Sequence, residues 1–298
     1  MYRVLPPFEY LEPRTVVEAA QILSMYGKRA KVLAGGVDLV ARMRRREIKP
    51  EHLVSLQRIP GLDHIEGDGE GGLRIGALVT IRSLELSPVI QKNYALLYEA
   101  AHQISSVQVK NMGTAVGNLC VATPASDIAC ALFALGAKLT ITSSADERTT
   151  PIEDFYIGVN QTALKPDEIV IGILLPNLPG GTGTAFQNLA RTADDVAKVN
   201  AAVMLIITDN RCTDVKIALG SVATTVIRAR KAEGSLKGRE PEPELINEAA
   251  EAASEEVQPI TDIRSTAEYR KEMSKLLVKR LLRKAVERAM AQSRARET

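Results

Sequence analysis

Tryptophan is absent from the chain, and aromatic residues together make up only 4% of it, so the sequence offers no platform for stacking nucleic-acid bases. Cysteine is almost as sparse. Cys120, Cys130 and Cys212 form no Cys-x-x-Cys pair, and His52, His64 and His102 lie far apart, so the chain lacks the ligand spacings of zinc and iron–sulfur sites. An odd count of cysteines also argues against a disulfide-stapled secreted domain. Neither sign of charge dominates: 38 Lys and Arg face 36 Asp and Glu, a net charge of +2 that argues against nucleic acid or an anionic membrane as the main partner. No run reaches the ~18 consecutive apolar residues of a membrane span. The opening Met1-Tyr2-Arg3-Val4-Leu5-Pro6-Pro7 lacks a signal peptide's apolar core. A soluble cytoplasmic protein is expected.

What the chain does have is apolar residues, 45% of 298, enough for two or more domains with buried cores. The stretch Leu33-Ala34-Gly35-Gly36-Val37-Asp38-Leu39 organises the rest. Lys31-Val32-Leu33 reads as a short buried strand. Val37 to Arg46 reads as a helix, with Val37, Leu39, Val40 and Met43 on one side. Two glycines at the junction let the backbone approach a ligand closely, and the free N–H groups at the helix start favour an anion. An ordinary strand–helix turn is the other reading of the same residues. Arg42, Arg44, Arg45 and Arg46 suit the negative end of the helix dipole and read as solvated surface.

Ahead of this stretch, Thr15 and Glu18 form a capping box for a helix from Thr15 to Ser24, which Gly27 stops. Leu53 to Leu56 reads as a strand and closes a first subdomain at 1–59. Gly67-Asp68-Gly69-Glu70-Gly71-Gly72 formally fits G-x-G-x-x-G. It is an acidic turn before a strand from Leu73 to Gly76, so it reads as a hairpin and not as the strand–loop–helix of a dinucleotide site. Thr80 caps a short helix that ends before Pro88, and Tyr94 to His102 reads as a further helix.

A second loop of small and short polar residues follows at Lys110-Asn111-Met112-Gly113-Thr114-Ala115-Val116-Gly117-Asn118. Thr114 and Asn118 carry groups able to reach phosphate or ribose oxygens. Thr123-Pro124-Ala125-Ser126-Asp127 leads into a helix from Ile128 to Leu135 that Gly136 ends. Asp127 reads either as its cap or as a carboxylate for a sugar hydroxyl or a ring N–H. Strands from Lys138 to Thr142 and from Glu168 to Leu175 complete a second subdomain at 60–177. The proline- and glycine-rich segment from Asn177 to Thr184 marks a boundary. In the remainder, 184–298, strands from Val199 to Thr208 and Val215 to Leu219 flank a turn at Asp209-Asn210-Arg211. Helices are expected from Val226 to Ser235, Glu244 to Glu255 and Thr266 to Ala291. The last carries Met273, Leu277, Leu281 and Ala285 as a core-facing stripe. An antiparallel sheet with helices on one face follows from this order.

With both loops in view, the chain resembles the FAD-binding medium subunit of the molybdenum hydroxylases, the family of xanthine dehydrogenase, aerobic carbon monoxide dehydrogenase and bacterial aldehyde dehydrogenases. The resemblance rests on Leu33 to Leu39 and on Gln108 to Asn118 followed by Pro124-Ala125-Ser126-Asp127. It continues in Ala218-Leu219-Gly220-Ser221-Val222-Ala223, in Arg228-Ala229-Arg230 and in Asp262-Ile263-Arg264-Ser265-Thr266-Ala267-Glu268-Tyr269-Arg270. These segments occur in the family's order over nearly the whole length.

The resemblance implies an α+β fold in which two subdomains of the vanillyl-alcohol-oxidase (PCMH) type clasp FAD. A C-terminal antiparallel sheet with helices, of the CO dehydrogenase flavoprotein type, would cover the flavin. It implies cofactor-binding roles for Leu33, Ala34, Gly35, Gly36, Val37, Asp38 and Leu39, with the amides from Ala34 to Asp38 on the pyrophosphate. Ile104, Thr114, Gly117, Asn118 and Thr123 would line the cofactor from the second subdomain. Asp127 would sit against the ribityl or pyrophosphate region and Val170 against a ring edge. Arg191 to Lys198 resembles a flavin-facing loop where electron acceptors approach, with Asp194, Asp195 and Lys198 on the acceptor side. Gln187 stands where relatives often place lysine, which removes a positive charge near the cofactor.

The implied chemistry is electron transfer with no acid–base residue and no metal on this chain. FAD would be bound here, [2Fe-2S] clusters on a small iron–sulfur subunit and the molybdenum cofactor on a large molybdopterin subunit, assembled as a dimer of heterotrimers. Two other functions compete with this one. A self-sufficient flavoprotein oxidase would need a base, for which Asp194 and Asp195 are the only nearby acids. A nucleotide-binding assembly module would not turn over at all.

Overall fold

The computed structural model describes residues 4–192 and 194–297. Met1, Tyr2 and Arg3, at the start of the segment read for a leader, and Ala193, inside the expected acceptor-side loop, lie outside the described residues.

The first sheet contains β1 (Glu9–Leu11), β2 (Ala30–Leu33) and β3 (His52–Ser55), in the order β1-β3-β2 with both pairs parallel. Parallel neighbours need crossovers. Here α1 (Val16–Tyr26) and α2 (Val37–Arg44) supply them. Thr15 Oγ1 accepts the Glu18 amide at 3.1 Å, and the Glu18 carboxylate returns to the Arg14 amide at 2.6 Å. The capping box is therefore present, with its return bond one residue upstream of the cap. Ala19, Ala20 and Leu23 of α1 share a core with Val54 and Leu56. The second helix stops two residues before the expected Arg46, which takes a left-handed φ of +64°.

The second sheet begins with β4 (Ile65–Gly67) and β5 (Leu73–Gly76). They are joined by the acidic turn, in which Asp68 Oδ1 accepts the amides of Glu70 and Gly72, each at 2.8 Å. The chain then runs through α3 (Ile81–Leu86), α4 (Pro88–Asn93), α5 (Ala95–Gln103), α6 (Val107–Met112), α7 (Ala115–Cys120) and α8 (Asp127–Leu135). Next come β6 (Lys138–Thr142), β7 (Glu147–Pro151), the turn of helix α9 (Ile152–Phe155), a small hairpin of β8 (Tyr156–Gly158) and β9 (Gln161–Thr162), and β10 (Ile169–Leu175). Its order is β4-β5-β10-β6-β7, antiparallel throughout. Every residue of α8 is buried, so this helix forms the centre of the core.

The expected second loop is two short helices. Six residues each are too few to show a helical period, and the hydroxyls of Ser106 and Thr114 cap α6 and α7.

The third sheet joins β11 (Thr182–Leu189), β12 (Val199–Thr208), β13 (Arg211–Gly220) and β14 (Ile227–Arg228) in sequence order, all antiparallel. Helices α10 (Arg230–Leu236), α11 (Pro243–Glu255) and α12 (Ala267–Glu297) follow. The helix expected from Val226 thus starts at Arg230, because Ile227 and Arg228 pair with Leu219 and Ala218 at the sheet edge. Strand β11 was not anticipated. Its Gly183 breaks the alternation, and a Cβ there would lie 1.8 Å from the Ala285 carbonyl oxygen of α12, so close helix–sheet packing explains the glycine.

Alternation divides this sheet between two cores. Ala185, Ala201, Val203, Leu205, Ile217 and Leu219 face the helices that follow, where Leu277, Leu281 and Ala285 are buried as the stripe predicts. Phe186, Ala202, Met204 and Ala218 face the other way, into the core built around α8. Helices of the second unit therefore cover the face left open by the third unit's own helices. Glu99 of α5 locks this contact, accepting from the Phe186 amide at 2.8 Å, Arg288 Nη2 at 2.6 Å and Lys284 Nζ at 3.1 Å. Among the described residues no helix is long and apolar enough to cross a membrane.

Candidate functional site

A cavity of about 570 Å³ opens between the first and second sheets, within the size range of small-molecule and cofactor sites. Leu33 to Leu39 form one wall. Gly36 caps α2 in a left-handed conformation, φ +73°, with no side chain bonded to the helix start. The first-turn amides of Val37, Asp38 and Leu39 have no intrahelical acceptor, which makes this terminus a donor set for an anion. Arg42 lies 3.7 Å from Asp38 and offsets the one carboxylate in that turn. Lys28 and Lys31 also line the cavity.

The opposite wall comes from α6, α7 and the two residues between them. A Cβ on Gly35 would lie 1.8 Å from the carbonyl oxygen of Met112 and 3.1 Å from Gly113 Cα, so the two loops are in direct backbone contact. Thr114 Oγ1 accepts the Gly117 amide at 3.0 Å, and a Cβ on Gly117 would approach that oxygen to 2.7 Å. The Thr114 hydroxyl keeps its proton for another acceptor. Asn118 Oδ1 receives the Ser126 hydroxyl at 2.5 Å, leaving the Asn118 amide nitrogen as a donor. Ile104, Thr114, Gly117, Asn118 and Val170 all line the cavity, as do Leu33 to Leu39. Residues about eighty positions apart thus meet as the sequence led one to expect.

Buried charge holds the second wall in place. Lys110 of α6 is buried and donates to Glu85 Oε1 at 3.0 Å and to the His102 carbonyl at 2.8 Å. Arg82 and His102 bond the same carboxylate at 2.7 and 2.8 Å. Burial works to raise the Glu85 carboxyl, but hydrogen bonds from Arg82, Lys110 and His102 outweigh it and hold the group at about 2.

Other expected site residues lie elsewhere. Thr123 does not line the cavity, and its hydroxyl accepts the Ala125 amide at 3.4 Å. Asp127 is neither the helix cap nor part of the cavity wall: Ser126 caps α8. The Asp127 carboxylate accepts from Asn200 Nδ2 at 2.5 Å and Asn188 Nδ2 at 2.8 Å, both on the third sheet. Burial pushes it up to about 6 against those two bonds. Gln187 lies on β11 opposite Ala201, away from the cavity. Asp194 accepts the Ser105 hydroxyl at 3.3 Å, Asp195 pairs with Arg191 at 2.7 Å, and Lys198 Nζ lies 5.8 Å from the Tyr269 ring centroid. None of these three lines the cavity, although Ser105 adjoins Ile104, which does.

Sequence reasoning missed Lys28, Lys31, Cys120, Asn160 and Lys165, all on the cavity wall. Cys120 opens onto the cavity, yet the protein packed behind it desolvates its thiol, pushing it up to about 12, so it stays neutral. Asn160 was findable as an asparagine after Gly158 in a turn; it adopts φ +54°, and its amide donates to the Ala122 carbonyl at 2.9 Å. Ser105 and Ala122 also adopt positive φ, at +34° and +50°, so backbone strain gathers about the second wall.

Two family models match the chain, the FAD binding domain in molybdopterin dehydrogenase over residues 6–178 and the CO dehydrogenase flavoprotein C-terminal domain over residues 184–285. The carbon monoxide dehydrogenase medium chain of Hydrogenophaga pseudoflava is 35% identical over 95% of this chain and 98% of its own. The nicotine 6-hydroxylase medium subunit of Paenarthrobacter nicotinovorans is 32% identical over 93% of this chain and 97% of its own. In three dimensions the chain matches the Hydrogenophaga carbon monoxide dehydrogenase solved without the Mo-pyranopterin moiety of its cofactor. The TM-score is 0.93 at 35% identity, covering 96% of this chain and 99% of that one.

Proposed function

Because this chain belongs to the family of FAD-binding domains of molybdopterin dehydrogenases, we propose that it is the FAD-carrying, electron-transferring subunit of a multi-subunit molybdenum hydroxylase. Bound FAD supplies the redox chemistry, accepting electrons and passing them to an external acceptor. The observation that carries the reading is the contact of Gly35 with Met112, which brings the open start of α2 against the second wall. The donor chemistry fits the cofactor. Amides of Val37, Asp38 and Leu39, with Lys28 and Lys31, suit a diphosphate. Val32, Leu33, Ile104 and Val170 supply apolar surface for a flat ring. The Thr114 hydroxyl and Asn118 amide are donors for phosphate or sugar oxygens.

In this reading the chain's own task is to bind the cofactor, orient it and exclude water from one side. The electrons come from [2Fe-2S] clusters on a small partner subunit, supplied in turn by a molybdenum-cofactor subunit, in a dimer of heterotrimers. Among the described residues no three His, Cys, Asp or Glu side chains stand together as a metal site. Several relatives are named as medium chains or subunits, which supports a heteromeric assembly.

Native purification of the chain with its partners, followed by assay of flavin, iron and molybdenum, tests the proposal. Stoichiometric FAD on this chain with iron and molybdenum on co-purifying subunits supports it. A colourless chain that associates with neither metal-bearing subunit overturns it.

A further inference from the structure

The cavity wall carries four cations, Lys28, Lys31, Arg42 and Lys165, and two carboxylates, Asp38 and Glu168. Both carboxylates are taken by arginine. Asp38 lies 3.7 Å from Arg42, one turn further along α2. Glu168 is buried just before β10, and its carboxylate accepts Arg148 Nε and Nη2, each at 2.8 Å, and the Lys165 amide at 2.8 Å. Arg148 reaches it from β7, and the same guanidinium donates to Thr150 Oγ1 at 2.5 Å and to the Ala163 carbonyl at 3.3 Å. The hydrogen bonds from Arg148 hold the Glu168 carboxyl below its usual range against the opposing pull of burial, so the group is ionised and its charge is offset.

The three lysines are left over. Lys28 and Lys31 form no ion pair among the described residues. Lys165 Nζ stands 3.9 Å from Glu168 Oε1, an oxygen that Arg148 already occupies. All three lysines are exposed where they line the cavity, so they sit at its rim. Arg29, between Lys28 and Lys31 in sequence, shows the contrast: it pairs with Glu51 at 3.3 Å, lies over the Tyr26 ring and does not line the cavity. The whole chain carries a net charge of only +2, so the excess of positive charge is local to the mouth. A cleft lined by charge of one sign, with low-dielectric walls behind it, focuses the field and raises the local concentration of an opposite ion.

We propose that Lys28, Lys31 and Lys165 form a cationic rim that draws the anionic, diphosphate-bearing cofactor in from solution and so sets the rate at which the chain is loaded. The proposal rests on the reading above in one respect, that the cavity takes FAD.

The test mixes the deflavinated full chain with FAD by stopped flow, at low and at high salt, and follows flavin fluorescence. One variant carries Lys28→Gln, Lys31→Gln and Lys165→Gln together, three exposed positions outside the buried cores. A second carries arginine at the same three positions, and Lys237→Gln, beyond α10, is the control. At low salt the glutamine variant takes up FAD about tenfold more slowly than wild type, and most of its effect falls on association, as expected of rim charges. The arginine variant, which keeps the charges, keeps the wild-type rate, and so does Lys237→Gln. Added salt slows wild type toward the glutamine variant, because the field is screened beyond ~10 Å at 0.1 M. Equal association rates in wild type and the glutamine variant at low salt overturn the steering and leave the cavity an FAD site. A glutamine variant that associates at the wild-type rate and only releases FAD faster also overturns it, making the lysines ligands of the bound cofactor. Slowing by arginine to the same extent as by glutamine overturns a role for charge alone. Failure of the wild-type chain to bind FAD at either salt overturns the reading of the cavity, and the rim with it.

Discussion

The Cβ position of Gly35 lies 1.8 Å from the carbonyl oxygen of Met112, closer than any side chain can come. One glycine thus fixes the distance between the walls of the cavity. Gly35→Ala forces them apart, a case of overpacking that costs about 1–3 kcal/mol. Flavin affinity falls roughly tenfold or more, since 1.4 kcal/mol is a factor of ten. Gly234→Ala is the control. That glycine lies inside α10 with nothing near its Cβ position, and alanine there stabilises by about 0.5–1 kcal/mol. Chemical denaturation and flavin titration of both variants check the contrast.

The buried Glu85–Lys110 pair supports the second wall. Lys110→Met leaves the carboxylate short of a partner. Breaking a buried pair in this way costs about 3–5 kcal/mol, measured by denaturation, and flavin binding weakens with it. Glu85 is depressed in the folded state to about 2 from 4.5. Its contribution is complete above pH 4.5 and is lost as pH falls toward 2. The stability gap between wild type and Glu85→Gln therefore closes over that interval, which acid titration of both proteins reads out.

Asp127 behaves in the opposite sense. Burial raises it from 3.8 to about 6, against the bonds from Asn200 and Asn188, so the folded chain holds its proton more tightly than the unfolded one. That contribution to stability is present below pH 3.8 and is lost as pH rises through 6. Stability measured across this window falls in wild type relative to Asp127→Asn, and the two curves run parallel above it.

Much of this was legible in sequence where the cause is local. Thr15 with Glu18, the stripe of Leu277, Leu281 and Ala285, and the paired glycines before Val37 each act within a few residues of chain. What stayed hidden depends on distant partners. Asp127 looked like a cap or a ligand because its asparagines stand 61 and 73 residues further on. Strand β11 hid behind Gly183, whose reason is the Ala285 carbonyl about a hundred residues away. The contact between Gly35 and Met112 was expected only as a convergence of loops, and that the second loop is two capped turns of helix emerged from the structure alone.

Bound cofactor stabilises the folded chain in proportion to its affinity. At a hundredfold excess of FAD over Kd the gain is about 2.7 kcal/mol, and it appears as a rise in the denaturation midpoint with added FAD. The rise is smaller in Lys31→Ala, which removes a cation from the cavity wall, and unchanged in Lys237→Ala, an exposed residue beyond α10.

The central claim is that both walls grip one FAD. Titration of the deflavinated protein with FAD, read by flavin fluorescence, tests it through one substitution on each wall, Gly35→Ala and Asn118→Ala. Saturation at one FAD per chain, weakened by either substitution, is the expected result. Absence of binding to the wild-type chain, or equal affinity in all three proteins, would contradict it.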